Sequence, residues 1–337
     1  MKSPYLYLKN IAMISFTMLV FNCTSQKIEL ENAQSQNIEF LIEQATNLWD
    51  NRSDTNAVKR ANYFLGLAYN VKKTNTEITD LYIKCLFFQG MFLEEDKIKK
   101  DSLFLKGAEV AKNSVLKNDI FTKLVQNSSI GDSTFKILSA LSEVPKELVP
   151  SMYWWATNKL WYLNTKPAIE RINQRELLEV IMHRVISLEP NYDYGGAYRF
   201  FGIFYSRIPG VELSQSKTYF EKAISSNEAY FGNQVQMSEF YYQKSEDKTS
   251  FIDQLEYVKS LDASMSNSNM AERSTRRIQD TLCGQLHFDV RCDHPGGCEF
   301  LNRLFSYRRS GEAFFVCGAV VDHPGFLRPV RSLSVLC

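Results

Sequence analysis

Two clusters in the middle of the chain carry side chains that could recognise a ligand: Tyr153, Trp154 and Trp155 in one, Tyr198, Arg199 and Phe201 in the other. Rings bury a large apolar area, and a guanidinium among rings stacks on them or binds an anion. That combination acts by shape and burial, with no bond made or broken. Gly195 and Gly196 precede the second cluster and Gly202 falls within it. Together with Pro209 and Gly210 they read as structural positions, permitting close helix approach or a ligand near the backbone. The blander reading of both clusters is core packing, because aromatic stripes at helical spacing fill cores and such an Arg often pairs with a neighbouring carboxylate.

Catalytic chemistry finds no foothold. The sequence has no phosphate-binding glycine loop, no H-E-x-x-H, no G-x-S-x-G and no dinucleotide fingerprint. His183, between Met182 and Arg184 on an amphipathic stretch, has no cysteine nucleophile near it in sequence. Glu94, Glu95 and Asp96, followed by Lys97, Lys99 and Lys100, read as a solvated helix end. The expectation is a protein that is not an enzyme and needs no cofactor.

At the N-terminus, Lys2 and Lys9 precede an apolar run from Ile11 to Phe21, and Cys23 follows. This is the arrangement of a signal peptide over residues 1–22 ending at a lipidated Cys23. The run is too short to span a bilayer, which takes about 20 apolar residues. Val20 and Asn22 make the match to a lipidation signal loose, so a plain signal peptide or an uncleaved anchor stands as the alternative. Thr24, Ser25 and Gln26 open a polar tether over residues 23–36.

Formal net charge is +1, which gives no reason to expect nucleic acid as a partner. All 23 lysines precede residue 271, whereas nine of 16 arginines, three of four histidines and five of seven cysteines follow it. Residues 283–337 therefore read as an atypical tail of foreign or frame-shifted coding origin, packing poorly or disordered. Its Cys283, His287, Cys292, His294, Cys298, Cys317 and His323 fit no common zinc spacing, so no metal site is expected. Cys85, alone in the apolar stretch from Tyr82 to Phe92, reads as a core thiol.

Helical periodicity runs from Ile38 to about Asp280 without a convincing strand pair, which makes the class all-α over a domain of residues 37–282. Helices are expected over 38–49, 56–72, 77–94, 97–116, 133–141, 146–163, 167–188, 194–206, 212–225, 233–244, 248–261 and 270–282, with a loop from Asn118 to Asp132. Tyr153 to Ala156 and Leu160 to Leu163 repeat an apolar quartet, so that helix must be contacted on nearly every side. Leu178, Met182, Val185 and Pro190 step by four, three and five. Phe201 and Gly202 fall where the tetratricopeptide repeat places its Leu-Gly pair, Tyr205 follows, and Ser216, Phe220 and Ala223 repeat the four-then-three spacing. The architecture expected is a tetratricopeptide-like array of antiparallel helix hairpins.

These residues resemble a known family. Tyr153-Trp154-Trp155, Val185 to Pro190 with Tyr192, Gly195 to Gly202, Ile208-Pro209-Gly210 and the segment Ser216 to Ala223 are similar to the T-component lipoproteins of TRAP transporters. Asn269 to Arg273 resembles the family's last helix, and nothing beyond Cys283 does. The resemblance implies a lipoprotein anchored through its lipid to the outer membrane and facing the periplasm, which assembles as a homotrimer with a cavity in each protomer. It implies a small hydrophobic or organic-acid ligand and a periplasmic TRAP substrate-binding protein as partner, with Tyr153, Trp154, Trp155, Tyr198, Arg199 and Phe201 as ligand-binding residues. The alternative is a tetratricopeptide scaffold lipoprotein of outer-membrane protein assembly, whose concave face grips protein segments.

Overall fold

The computed structural model describes residues 37–52, 54–228 and 230–260, together with 319–322 and 326–329. The signal peptide, the tether with Cys23, the helix expected at 270–282 and the Cys and His residues from Cys283 onward lie outside the described residues. By its internal contacts the chain divides into a unit of Met1–Thr275 and a unit of Arg276–Cys337.

The first unit is an all-α helical-repeat array. In it lie α1 (37–50), α2 (Thr55–Val71), α3 (Thr76–Phe88), α4 (Lys97–Leu116), α5 (Asp119–Asn127), α6 (Ser133–Glu143) and α7 (Val149–Leu163). They are followed by α8 (Ala168–Asn173), α9 (Arg175–Leu188), α10 (Tyr192–Arg207), α11 (Leu213–Ser226), α12 (Phe231–Met237) and α13 (Lys248–Ser260). Short polar side chains start five of them. Asp54, Asn75, Asp96, Asn118 and Asp132 each accept a backbone N–H of the first turn, which satisfies donors that have no partner inside the helix. Helices pack mainly on near neighbours in the chain: α2 on α3, α3 on α4, α9 on α10, and most extensively α10 on α11. The main long-range packing is that of α7 on α4, α9, α10 and α3, and α6 also packs on α9. Its residues from Met152 to Asn158 are all buried, as the repeated apolar quartet requires, while Trp161 and Tyr162 are half-buried.

The repeat register is visible in what is buried. Leu178, Met182 and Val185 on α9, and Ser216, Phe220 and Ala223 on α11, are all fully inaccessible. Ser216 Oγ donates to the Gly202 carbonyl at 2.7 Å, and a Cβ at Gly202 would lie 2.7 Å from ring carbons of Phe220. The α10–α11 hairpin is therefore closed at the position where the spacing placed its close contact.

Four boundaries differ from expectation. Residues 119–127, expected within a loop, form α5, because Asn118 caps it and Phe121, Leu124 and Val125 give it an inner face. The helix expected over 167–188 breaks at Gln174 into α8 and α9. Arg171, mostly buried, donates there to the carbonyls of Leu163, Lys166 and Arg207 and so closes the C-terminal end of α7. The helix expected over 77–94 ends in a π turn, Gln89–Leu93, and that expected over 233–244 ends in another, Ser238–Tyr242.

In the second unit, β1 (Ala319–Asp322) and β2 (Phe326–Pro329) form a two-stranded antiparallel ladder with Ala319 opposite Pro329. The sequence reading had not anticipated a strand pair there. The fold class of the helical unit is unaffected.

Candidate functional site

The start of α10 is the least ordinary backbone in the described chain. Asp193, Tyr194 and Gly195 all have positive φ, 49°, 61° and 73°, making three consecutive left-handed residues at a helix entrance. Glycine adopts this region without cost, but Asp and Tyr do so only where the surroundings impose it. What imposes it is a buried polar knot. Arg199, 6% exposed and one turn further on, donates through Nη1 to the Asp193 carbonyl at 3.2 Å and to Asn233 Oδ1 at 2.8 Å. Its Nη2 donates to Tyr153 Oη at 2.9 Å and to Asp193 Oδ2 at 2.5 Å. Tyr153 donates its own hydroxyl proton to Asp193 Oδ2 at 2.6 Å. Asn233 Nδ2 completes the closure by donating to the carbonyls of Tyr194 and Ala223.

Each member is positioned by an element already described. Tyr153 sits on the buried α7, and its hydroxyl fits because Gly196 has no side chain there: a Cβ at 196 would collide with it. Tyr230, just before α12, stacks on Tyr194 with centroids 4.7 Å apart and planes 6° from parallel, and the Arg199 guanidinium lies 4.8 Å from the same Tyr230 ring. Burial works against the Arg199 charge, and Tyr153, Tyr230 and Asp193 together more than offset it, so its pKa lies above the ordinary value. Burial pushes the Tyr153 phenol well above its ordinary range, which keeps it a neutral donor.

This knot forms one wall of a cavity of about 240 Å³. Trp49, Phe87, Trp154, Trp161 and Phe200 supply aromatic walls, and the π turn contributes Met91 and Phe92. Charge enters through Arg52, Lys84, Arg199 and Asp193, three cations against one carboxylate. Thr157 Oγ1 and Gln236 Oε1, both in lining residues, are buried without a hydrogen-bond partner among the described residues. Such a cavity can hold a small apolar body that carries an anionic group.

Of the residues expected to bind ligand, Tyr153, Trp154 and Arg199 line this cavity, and Trp155, Tyr198 and Phe201 do not. Trp155 is buried in the core, Tyr198 is half-buried, and Phe201 packs against His183, Tyr205 and Tyr219. Helical geometry explains the split: at about 100° per residue two neighbours can share a wall, as Tyr153 with Trp154 and Arg199 with Phe200 do, whereas Trp155, Tyr198 and Phe201 each lie about 200° round from one of them and turn away. Sequence reasoning missed Asp193, Tyr194, Tyr230, Trp49, Arg52, Lys84 and Phe87. Only the run Tyr192 to Gly196, a turn signature ahead of a helix, offered a usable hint. Among the described residues no group of three or more His, Cys, Asp or Glu is placed to hold a metal ion.

Residues 88–281 match the family described as TRAP transporter T-component. The chain belongs to that family. The match takes in the Tyr153–Asp193–Arg199 knot and most of the aromatic wall, and it ends close to where the helical periodicity ends. No curated protein matches the chain. A T-component has a role in TRAP transport, and the family is transport-associated and non-enzymatic. Among the described residues no helix is long and apolar enough to cross a membrane.

Proposed function

We propose that this T-component binds a small organic anion with an apolar body in the α3–α7–α10 cavity and presents it to the TRAP system. The observation that carries this reading is the pairing of aromatic walls with three cations and a single carboxylate in one cavity of about 240 Å³. An apolar ligand body gains by burial against rings, at roughly 25 cal/mol per Å² of apolar surface removed from water. The positive excess selects for a negative head. A scaffold that grips protein segments would be served by an open polar groove; this cavity is partly open and carries polar groups, and it is the set of rings converging on it that supports the small ligand instead.

The rest of the proposal follows the family resemblance. The protein is exported by its N-terminal signal, held through lipidated Cys23 on the outer membrane facing the periplasm, and separated from it by the tether of residues 23–36. It assembles as a homotrimer and associates with a periplasmic TRAP substrate-binding protein. The test is native mass spectrometry of the full mature chain purified without detergent, followed by denaturing extraction. The expected result is a co-purified organic acid released on denaturation, together with binding of the cognate substrate-binding protein. A chain that carries no small molecule, binds no added organic acid and ignores that partner would end this reading.

A further inference from the structure

The knot around Arg199 raises the question of which cation is available to a ligand. Arg199 already makes four hydrogen bonds, is ion-paired with Asp193 and lies over Tyr230. Turning it toward a ligand would release the left-handed turn it closes. Arg52, in the loop between α1 and α2, is in the opposite condition. Its Nη1 donates to the Trp49 carbonyl at 3.0 Å and its guanidinium lies 5.0 Å from the Trp49 ring centroid. Its Nε is buried without a hydrogen-bond partner, and among the described residues no carboxylate lies within ion-pair distance of it. Arg52 is half-buried: burial lowers its pKa, Asp50 and Tyr194 oppose that only through space, and no ion pair replaces the hydration it has lost.

We infer that Arg52, assisted by Lys84 on the same cavity, reads the anionic head of the ligand, and that Arg199 is a positioning residue for the wall. The inference rests on the cavity being a ligand site. Lys84 is the weaker of the pair, because Asp80, one turn earlier on α3, already feels its charge. A guanidinium steadied on an indole presents paired donors to a carboxylate or a phosphate, and an anion there restores what burial removed. Phe87, Trp154 and Phe200 then receive the apolar body, and at interior packing density the cavity holds on the order of ten non-hydrogen atoms. Arg52 and Lys84 both precede residue 88, where the family match begins.

The experiment titrates the full mature chain with octanoate, octyl phosphate and 1-octanol by calorimetry, in the parent and in Arg52→Gln and Arg52→Lys. The parent should prefer the anions to the alcohol, and the two anions separate a carboxylate reader from a phosphate reader. Arg52→Gln should lose about tenfold or more in affinity for the preferred anion while 1-octanol binding stays within about twofold, and Arg52→Lys should retain part of the loss. If the parent binds an anion and Arg52→Gln binds it equally well, the assignment of Arg52 is overturned and the cavity reading stands. Equal weakening of all three probes would mark Arg52 as structural and overturn the assignment as well. Failure of the parent to bind any of the three takes the cavity reading down with it.

Discussion

Asp193 shows how one side chain ties backbone strain to a binding wall. Its carboxylate accepts from both Arg199 and Tyr153, and its own φ of 49° is held by those contacts. Asp193→Ala should therefore cost more than a surface ion pair does. It leaves the Arg199 guanidinium buried without its counter-charge, a defect that costs about 3–5 kcal/mol at fully buried sites. The Asp193 side chain is 22% exposed, which puts the expectation at the lower end of that range in urea denaturation. Cys85 offers a cleaner case. Burial raises its thiol pKa from 9.0 to about 12, so the thiolate that reacts with electrophiles is nearly absent in the folded state. Iodoacetamide at mildly alkaline pH should leave Cys85 unlabelled until the protein is denatured, as peptide mass mapping would show. The sign of its pH linkage follows from the raised value. The thiol's contribution to stability is whole below pH 9 and is lost as pH rises toward 12, and Tyr69 and Tyr82, also raised by burial, act in the same sense.

At the scale of elements, the α10–α11 hairpin is the most exposed to test. Phe220 is fully buried and already within contact of the Gly202 backbone, so any side chain at 202 must move a ring that has no free space. Gly202→Leu should melt lowest, with an overpacking cost of about 1–3 kcal/mol. Gly202→Ala should also melt below the parent, because a Cβ 2.7 Å from the ring outweighs the up to about 1 kcal/mol that helix propensity returns. Thermal denaturation of the two variants decides it, and a Leu variant as stable as the parent would undo the hairpin register. This register was legible in the sequence because close packing forces small and large residues into alternation, and Gly202 opposite Phe220 is that alternation. The cavity was legible only in part. Tyr153, Trp154 and Arg199 stood out as residue types, but the wall they share also draws Arg52 from a loop and Lys84 from α3, and no local period links residues so far apart in the chain. The left-handed turn was hidden for a different reason. Asp visits positive φ only occasionally and Tyr carries no signal for it, so Gly195 beside them was the one clear hint.

At the scale of the whole molecule, three features of the sequence argue for a working unit that ends near residue 282. Helical periodicity ends near Asp280, the family match ends at residue 281, and all lysines lie before residue 271. The helices that build the cavity wall run from α1 to α12, and the packing of α13 on α12 extends the same array to Ser260. A chain ending at Leu282 should therefore keep its helix content, its melting temperature and its affinity for octanoate. The argument is one of nearest neighbours: in a helical array each element draws its stability from the helices beside it, so losing chain beyond the last helix leaves the interior contacts as they were. Circular dichroism at 222 nm, a thermal melt and the same octanoate titration on the shortened and full chains make the comparison. Matching values on all three are expected. A shortened chain that loses helicity or melts lower would assign residues 283–337 a part in the fold, and one that folds normally but loses octanoate would assign them a part in the site.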